Sequence, residues 1–224
     1  MTIRHILRRL ASAVPTPRRN PFALGYLAVL LGTTLLARFG DPELVRRLQV
    51  ASSSDAHNLL DHPLLALTAS GLWVAGPVWM PYFWAFLLTV APLERRVGGL
   101  RAAGVVAAGH IGATLVSQLV VVVAVASGGQ PAEALDALDI GVSYGVLAGL
   151  GAVAGLLAPP GRLLALACAS ALLLDQILTD RDLVTGVGHP TALLIGIACW
   201  PALRRRRPLR ARRRPVRATS APSS

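Results

Sequence analysis

Two residues of this chain are of types that together do covalent chemistry, Ser143 and His189. A serine hydroxyl is a weak nucleophile until a base takes its proton, and a neutral imidazole is the usual base. Both lie near the start of an apolar run. Ser143 is the third residue of GVSYGVLAGLGAVAGLLA (141–158), and His189 is the fourth of the run 186–203. If both runs are helices crossing a membrane in the same direction, both side chains sit about one turn below the same boundary, at about 1.5 Å of rise per residue. Neighbouring helices of that kind would bring the hydroxyl within hydrogen-bond reach of the ring, a dyad suited to attack on a peptide carbonyl. Gly141, Gly145 and Gly149 recur at every fourth position, and Ala192 and Gly196 follow His189. Stripes of small residues let helices approach closely; facing each other, these two would set Ser143 against His189. A structural use stands beside the chemical one. A serine in a membrane helix commonly bonds a backbone carbonyl, and small-residue spacings are frequent in a chain with 21 glycines. GVSYG also fits the nucleophile-elbow pattern, but that elbow needs a strand before the serine, so an α/β-hydrolase is excluded.

The elements that must position these groups follow from composition. Of 224 residues, 54% are hydrophobic and 15% charged, and the mean hydropathy is +0.57. A soluble domain carries about 25% charged residues, and a small one cannot cover this much apolar surface. Disorder is excluded on the same ground. Six stretches approach the roughly 20 apolar residues of a spanning helix: 22–39, 64–91, 102–127, 141–158, 163–179 and 186–203. The second is longer than a span needs, so a surface portion is expected ahead of its crossing. Pro159, Pro160 and Gly161 separate the fourth from the fifth. The expected class is all-α, a polytopic bundle of six transmembrane helices. It divides into a basic N-terminal tail (1–20), a membrane domain (21–203) and a disordered Arg-rich tail (204–224).

Every one of the 22 basic residues is Arg. With six spans, eighteen fall on one side: the N-terminal tail, Arg95, Arg96, Arg101, Arg162, and nine from Arg204 to Arg217. Only Glu94 among the acidic residues joins them. The positive-inside rule then places both termini in the cytoplasm and the protein in a cell membrane; the all-Arg, Ala-rich usage suggests a bacterial inner membrane. The Arg-rich tails are expected to touch anionic lipid. The arginines gather at the ends of apolar blocks and not on a folded basic face, so no nucleic acid partner is expected. Cys168 and Cys199 lie in apolar runs without metal-ligand spacing, and no metal or cofactor is expected.

Other polar residues inside the runs are candidates for support. His110 and Gln118, eight apart on the third span, share roughly one face. Asp175 reads as an interface residue that pairs with Arg181 or a neighbouring amide, and Glu94 with Arg95 and Arg96 as an ion-pair group shaping a turn. In the outer loop 40–63, Asp41 is an expected N-cap with Pro42 at the first helical position, opening a short amphipathic helix with Leu44, Val45 and Leu48 on its apolar side.

The order of these features resembles the rhomboid intramembrane serine proteases. PLERRVGG (92–99) is similar to that family's acidic-basic-Gly stretch, GVSYG (141–145) stands at its G-x-S-G, and GHPTALLIG (188–196) at its His followed by small residues. LTASGLWVAGP (67–77) is similar to the start of its second helix. The resemblance implies a rhomboid-like six-helix bundle in which Ser143 is nucleophile and His189 general base, with single-span membrane proteins as substrates. There are departures. The family's His and Asn on the second helix, which hold the oxyanion, have no counterpart in Pro77–Phe83. Tyr144 stands where a Gly follows the serine, Leu147 where an aromatic residue stacks on the dyad His, and Pro190 directly after His189 disfavours helical geometry there. These departures favour an alternative: a rhomboid-like scaffold that binds transmembrane segments without cutting them.

Overall fold

The computed structural model describes residues 14–74, 79–180 and 182–204. Most of the N-terminal tail, the C-terminal tail beyond Arg204, Arg181, and Pro77 and Val78 lie outside the described residues. Within them the chain is helical and has no strand.

Helix α1 (Pro21–Phe39) starts with Pro at its first position, where a missing N–H costs nothing, and ends at Gly40. Helix α2 (Pro42–Ser52) is the short helix expected after Asp41. The Asp41 carboxylate accepts from Leu44 N at 2.9 Å, and Leu44 and Leu48 remain exposed on a side that suits the lipid boundary. Short helices α3 (Ala56–Asp61) and α4 (Pro63–Ala69) lead into a 3₁₀ turn, Ser70–Leu72. Helices α5 (Met80–Leu88) and α6 (Val90–Val97) follow, then the long α7 (Gly99–Ala126). A 3₁₀ turn at Ala132–Asp136 precedes α8 (Ser143–Ala154), and α9 (Pro159–Asp180), α10 (Leu183–Ala198) and α11 (Trp200–Arg204) complete the chain.

Among the described residues four stretches are long and apolar enough to cross a membrane: α1, α7, α9, and Leu183–Arg204, which joins α10 and α11. The other two expected spans take a different form. The second, 64–91, is broken. Pro92 has no N–H for the Leu88 carbonyl, and the helix is interrupted by a turn at Thr89 (φ −119°, ψ −70°) between α5 and α6. The fourth is a helix of 12 residues, because Gly141 and Val142 belong to the incoming loop and residues 155–158 to the turn before α9. Pro190, in contrast, does not interrupt α10.

Helix α8 is the centre of the bundle. Nine of its residues are buried, packed between α6, α7 and α10. Backbone meets backbone there. A Cβ on Gly151 would lie 2.3 Å from Leu193 O, and one on Gly196 would lie 2.1 Å from Ala148 O. This corrects the expected stripe pairing. Gly145 faces Val106 of α7 and Gly149 faces Val90 of α6, so neither meets α10. The small surface that α8 offers to Gly196 is Ala148, Gly151 and Ala152, while Ala192 packs with Tyr144 and Ala113. Helix α9 lies outside this centre, with Leu163, Leu164, Leu172, Leu174 and Leu178 each more than half exposed. That much apolar surface on one helix needs lipid against it.

Glu94 has a different task from the expected turn ion pair. It is buried, and its two oxygens accept from Phe22 N and Ala23 N, both at 2.9 Å. The first N–H groups of a helix have no internal partner and carry the positive end of its dipole, so a carboxylate there joins α6 to the start of α1. Asn20 adds a bond from Nδ2 to Ala91 O at 2.8 Å. Removing both acceptors leaves two donors unpaired beside apolar side chains. Glu94→Ala is expected to destabilise the bundle by about 3 kcal/mol and Glu94→Gln by less, read as denaturation midpoints in detergent.

Candidate active site

The loop ahead of Ser143 is fixed before the helix begins. Ser54 N and Oγ donate to Asp139 O at 2.8 and 3.0 Å, and Asp139 N donates to Ser53 Oγ at 2.9 Å. Gly141 N donates to Ser70 O and Val142 N to Trp73 O. Gly141 holds φ at 151°, a backbone region that favours glycine, and the chain then turns into α8.

Ser143 is the first residue of α8 and so has no helical carbonyl behind it. Other hydroxyls in the bundle do: Ser70, Thr89, Ser117 and Thr191 donate to carbonyls three or four residues back, at 2.5 to 3.1 Å. Among the described residues Ser143 has one hydrogen-bond partner, His189 Nε2, at 2.9 Å. The other ring nitrogen, Nδ1, is 2.7 Å from Oε1 of Gln176 on α9. These two distances set a direction. The hydroxyl proton has only Nε2 to go to, so Nδ1 carries the ring proton and donates it to the amide oxygen. The chain runs from Ser143 through His189 to Gln176, and leaves Nε2 as the basic atom.

Tyr144 closes the other side of the ring. Its ring lies edge-on to His189, with centroids 5.4 Å apart and planes at 85°, and its hydroxyl donates to Val184 O at 3.2 Å. A Cβ on Gly188 would lie 2.2 Å from that hydroxyl, so the glycine before His189 makes room for the tyrosine. Ser143 and His189 are both half-buried.

The two expected supporting residues lie elsewhere. His110 Nε2 is 3.0 Å from Ser70 Oγ, and its ring centroid stands 6.2 Å from that of Tyr144; it has no bond to Ser143 or His189. Gln118 donates from Nε2 to Asp139 Oδ2 at 3.0 Å, holding the loop that leads into α8. Gln176 and Tyr144 were not legible as site residues. Gln176 is a neutral amide beside the charged Asp175, and Tyr144 stands where the family has a glycine.

With this geometry in hand, comparison with known proteins decides the family. A family model described as rhomboid-like protein matches residues 17–209. The chain belongs to the rhomboid-like family. No curated protein matches it, and no solved structure does. The family and the apolar helices together make this rhomboid-like protein a multi-pass membrane protein.

Two outcomes test the site's geometry. In protein labelled with ¹⁵N-histidine, His189 should show a protonated Nδ1 and an unprotonated Nε2. Gln176→Leu should remove that single tautomer and Gln176→Glu should retain it. The second outcome concerns the loop ahead of α8. Burial raises the Asp139 carboxyl above its ordinary value, against the lowering effect of its bonds to Gln118 and Ser54. A raised carboxyl binds its proton more tightly in the folded state. Stability therefore falls as pH rises from the ordinary carboxylate range through the raised value. Asp139→Asn should remove that slope in melting curves taken across the weakly acidic range.

Proposed function

We propose that this protein is a rhomboid-type intramembrane serine protease in which Ser143 is the nucleophile and His189 the general base. The observation that carries the proposal is the 2.9 Å contact between Ser143 Oγ and His189 Nε2, made by a serine with no other partner among the described residues. In this reaction Oγ bonds to a peptide carbonyl carbon as its proton passes to Nε2. The C–N bond then breaks, and the departing amine takes that proton. Water, deprotonated by the same imidazole, releases the acyl group. Gln176 is neutral. It orients the ring without the charge that a carboxylate would supply to the imidazolium.

The family's His and Asn oxyanion donors have no counterpart among the described residues of the corresponding stretch, Trp79, Met80, Pro81, Tyr82 and Phe83. The start of α8 offers another source. The N–H groups of Ser143, Tyr144 and Gly145 open the helix, where no internal acceptor exists, and such a terminus favours negative charge. Loss of one oxyanion donor typically costs about 10²–10³ in rate, so backbone donors alone fit a slow enzyme.

The topology proposed with this chemistry has six crossings and both termini in the cytoplasm of a bacterial cell. The broken second crossing runs through α4, α5 and α6, and the short fourth is α8. Helix α8 is enclosed by protein, and non-spanning backbone at membrane depth is tolerated under that condition. Substrates would be single-span membrane proteins reaching Ser143 near the end opposite the arginines. The absence of side-chain oxyanion donors favours a second reading, a scaffold that binds transmembrane segments intact.

A fluorophosphonate probe separates the two. Detergent-purified wild type should be labelled, Ser143→Ala not at all, and His189→Ala at least about 10³-fold more slowly. Absence of labelling in folded wild type would favour the scaffold.

A further inference from the structure

We infer that the Arg-rich end of the bundle holds a site for the phosphate headgroup of an anionic phospholipid, lined by Arg96, Arg101 and Arg204. A cavity of about 510 Å³ opens there, with these three guanidinium-bearing residues and the apolar Val97, Leu156 and Leu203 around it. The arginines come from three elements: the end of α6, the first turn of α7, and α11.

The site is built and not a chance gathering of surface charge. Trp200 donates from Nε1 to Gly151 O at 2.7 Å. Its ring lies so close to Gly155 that a Cβ there would be 2.3 Å from Nε1. Arg204 stacks on this ring at 5.0 Å and Arg162 at 5.2 Å. Arg204 is also tied to Gly155 O, at 2.7 Å from Nη2 and 3.2 Å from Nε. Its guanidinium is thereby fixed at the cavity wall.

Among the described residues no protein anion serves these charges. Glu94 is the single acidic residue that the sequence places on this side, and both of its oxygens are turned inward to α1. Among the described residues no carboxylate pairs with Arg96, Arg101 or Arg204. Three cations around one cavity repel one another unless an anion enters. Guanidinium groups match phosphate oxygens in geometry, and basic pockets between membrane helices take lipid headgroups. The apolar wall decides the source: Val97, Leu156 and Leu203 offer a glycerol backbone and acyl chains a surface that free phosphate cannot use.

The test uses the full chain in neutral detergent and measures binding by native mass spectrometry. The probes are dioctanoyl phosphatidylglycerol, dioctanoyl phosphatidylcholine and inorganic phosphate. Phosphatidylglycerol should bind at least about tenfold more tightly than phosphatidylcholine and resist displacement by equimolar phosphate. The double variant Arg96→Gln, Arg101→Gln should weaken it roughly thirtyfold. Both side chains are exposed, so the fold should persist, checked by an unchanged melting temperature. Arg212→Gln, Arg213→Gln removes the same charge from the tail and should leave binding near wild type. Equal loss in the tail variant, no loss in the Arg96/Arg101 variant, or equal affinity for the two lipids would overturn the site. Displacement by equimolar phosphate would overturn the lipid as its ligand.

Discussion

The contact on which this structure depends is the close crossing of α8 and α10. At Gly151 and Gly196 each helix meets the other's backbone directly, with no space for a Cβ on either side. Burial of apolar surface cannot by itself fix helices in lipid, where the surroundings are as apolar as the contact. Close backbone approach makes up for this with dispersion contacts, and it fixes distance as well as association. A methyl on either glycine would force the axes apart. The gap between Ser143 and His189 would widen with them, since both residues lie on the same two helices about two turns from the crossing.

The site's polarity follows from where α8 begins. A helical serine satisfies its hydroxyl on its own backbone, as Ser70 and Ser117 do. Ser143 stands one turn too early for that, and loop 137–142 holds it there through bonds to Ser53, Ser54, Ser70 and Trp73. The imidazole is thus the acceptor by elimination, and Gln176 completes the line from a third helix. The hydroxyl that has no structural bond to its own helix is the one beside a base.

Much of this was legible in the sequence, and the losses have physical causes. Long apolar runs report spans because lipid demands length and composition, and α1, α7 and α9 came out within a few residues of expectation. The second span was not legible as broken, since hydropathy does not register that Pro92 removes a donor. Ser143 and His189 could be paired through equal depth in parallel runs. Which glycines face which helix could not be read, because a repeat of four leaves the rotation of a short helix open: Gly145 and Gly149 turned to α7 and α6, and Gly151 took the crossing with α10. Gln176 is thirteen residues from His189 and on another helix, a separation at which no local pattern exists.

Glu94 joins these features. An acidic residue among arginines reads as one partner of an ion pair, and the energetics of burial give it another role. Water already solvates an exposed ion pair well, so such a pair contributes little. Two unpaired N–H groups at the buried start of α1 cost far more if left alone. The carboxylate goes where the unpaired donors are, and two things follow at once. Helix α1 is tied to α6, beside the clustered rings of Tyr26 and Phe86. Among the described residues Arg96, Arg101 and Arg204 are left without a carboxylate partner, at the end of the bundle remote from Ser143. One side chain thus divides the molecule electrostatically. One end is closed by a network of loop carboxylates, serines and amides around the entrance to α8. The other carries Arg96, Arg101 and Arg204 around the cavity proposed above as a lipid-phosphate site.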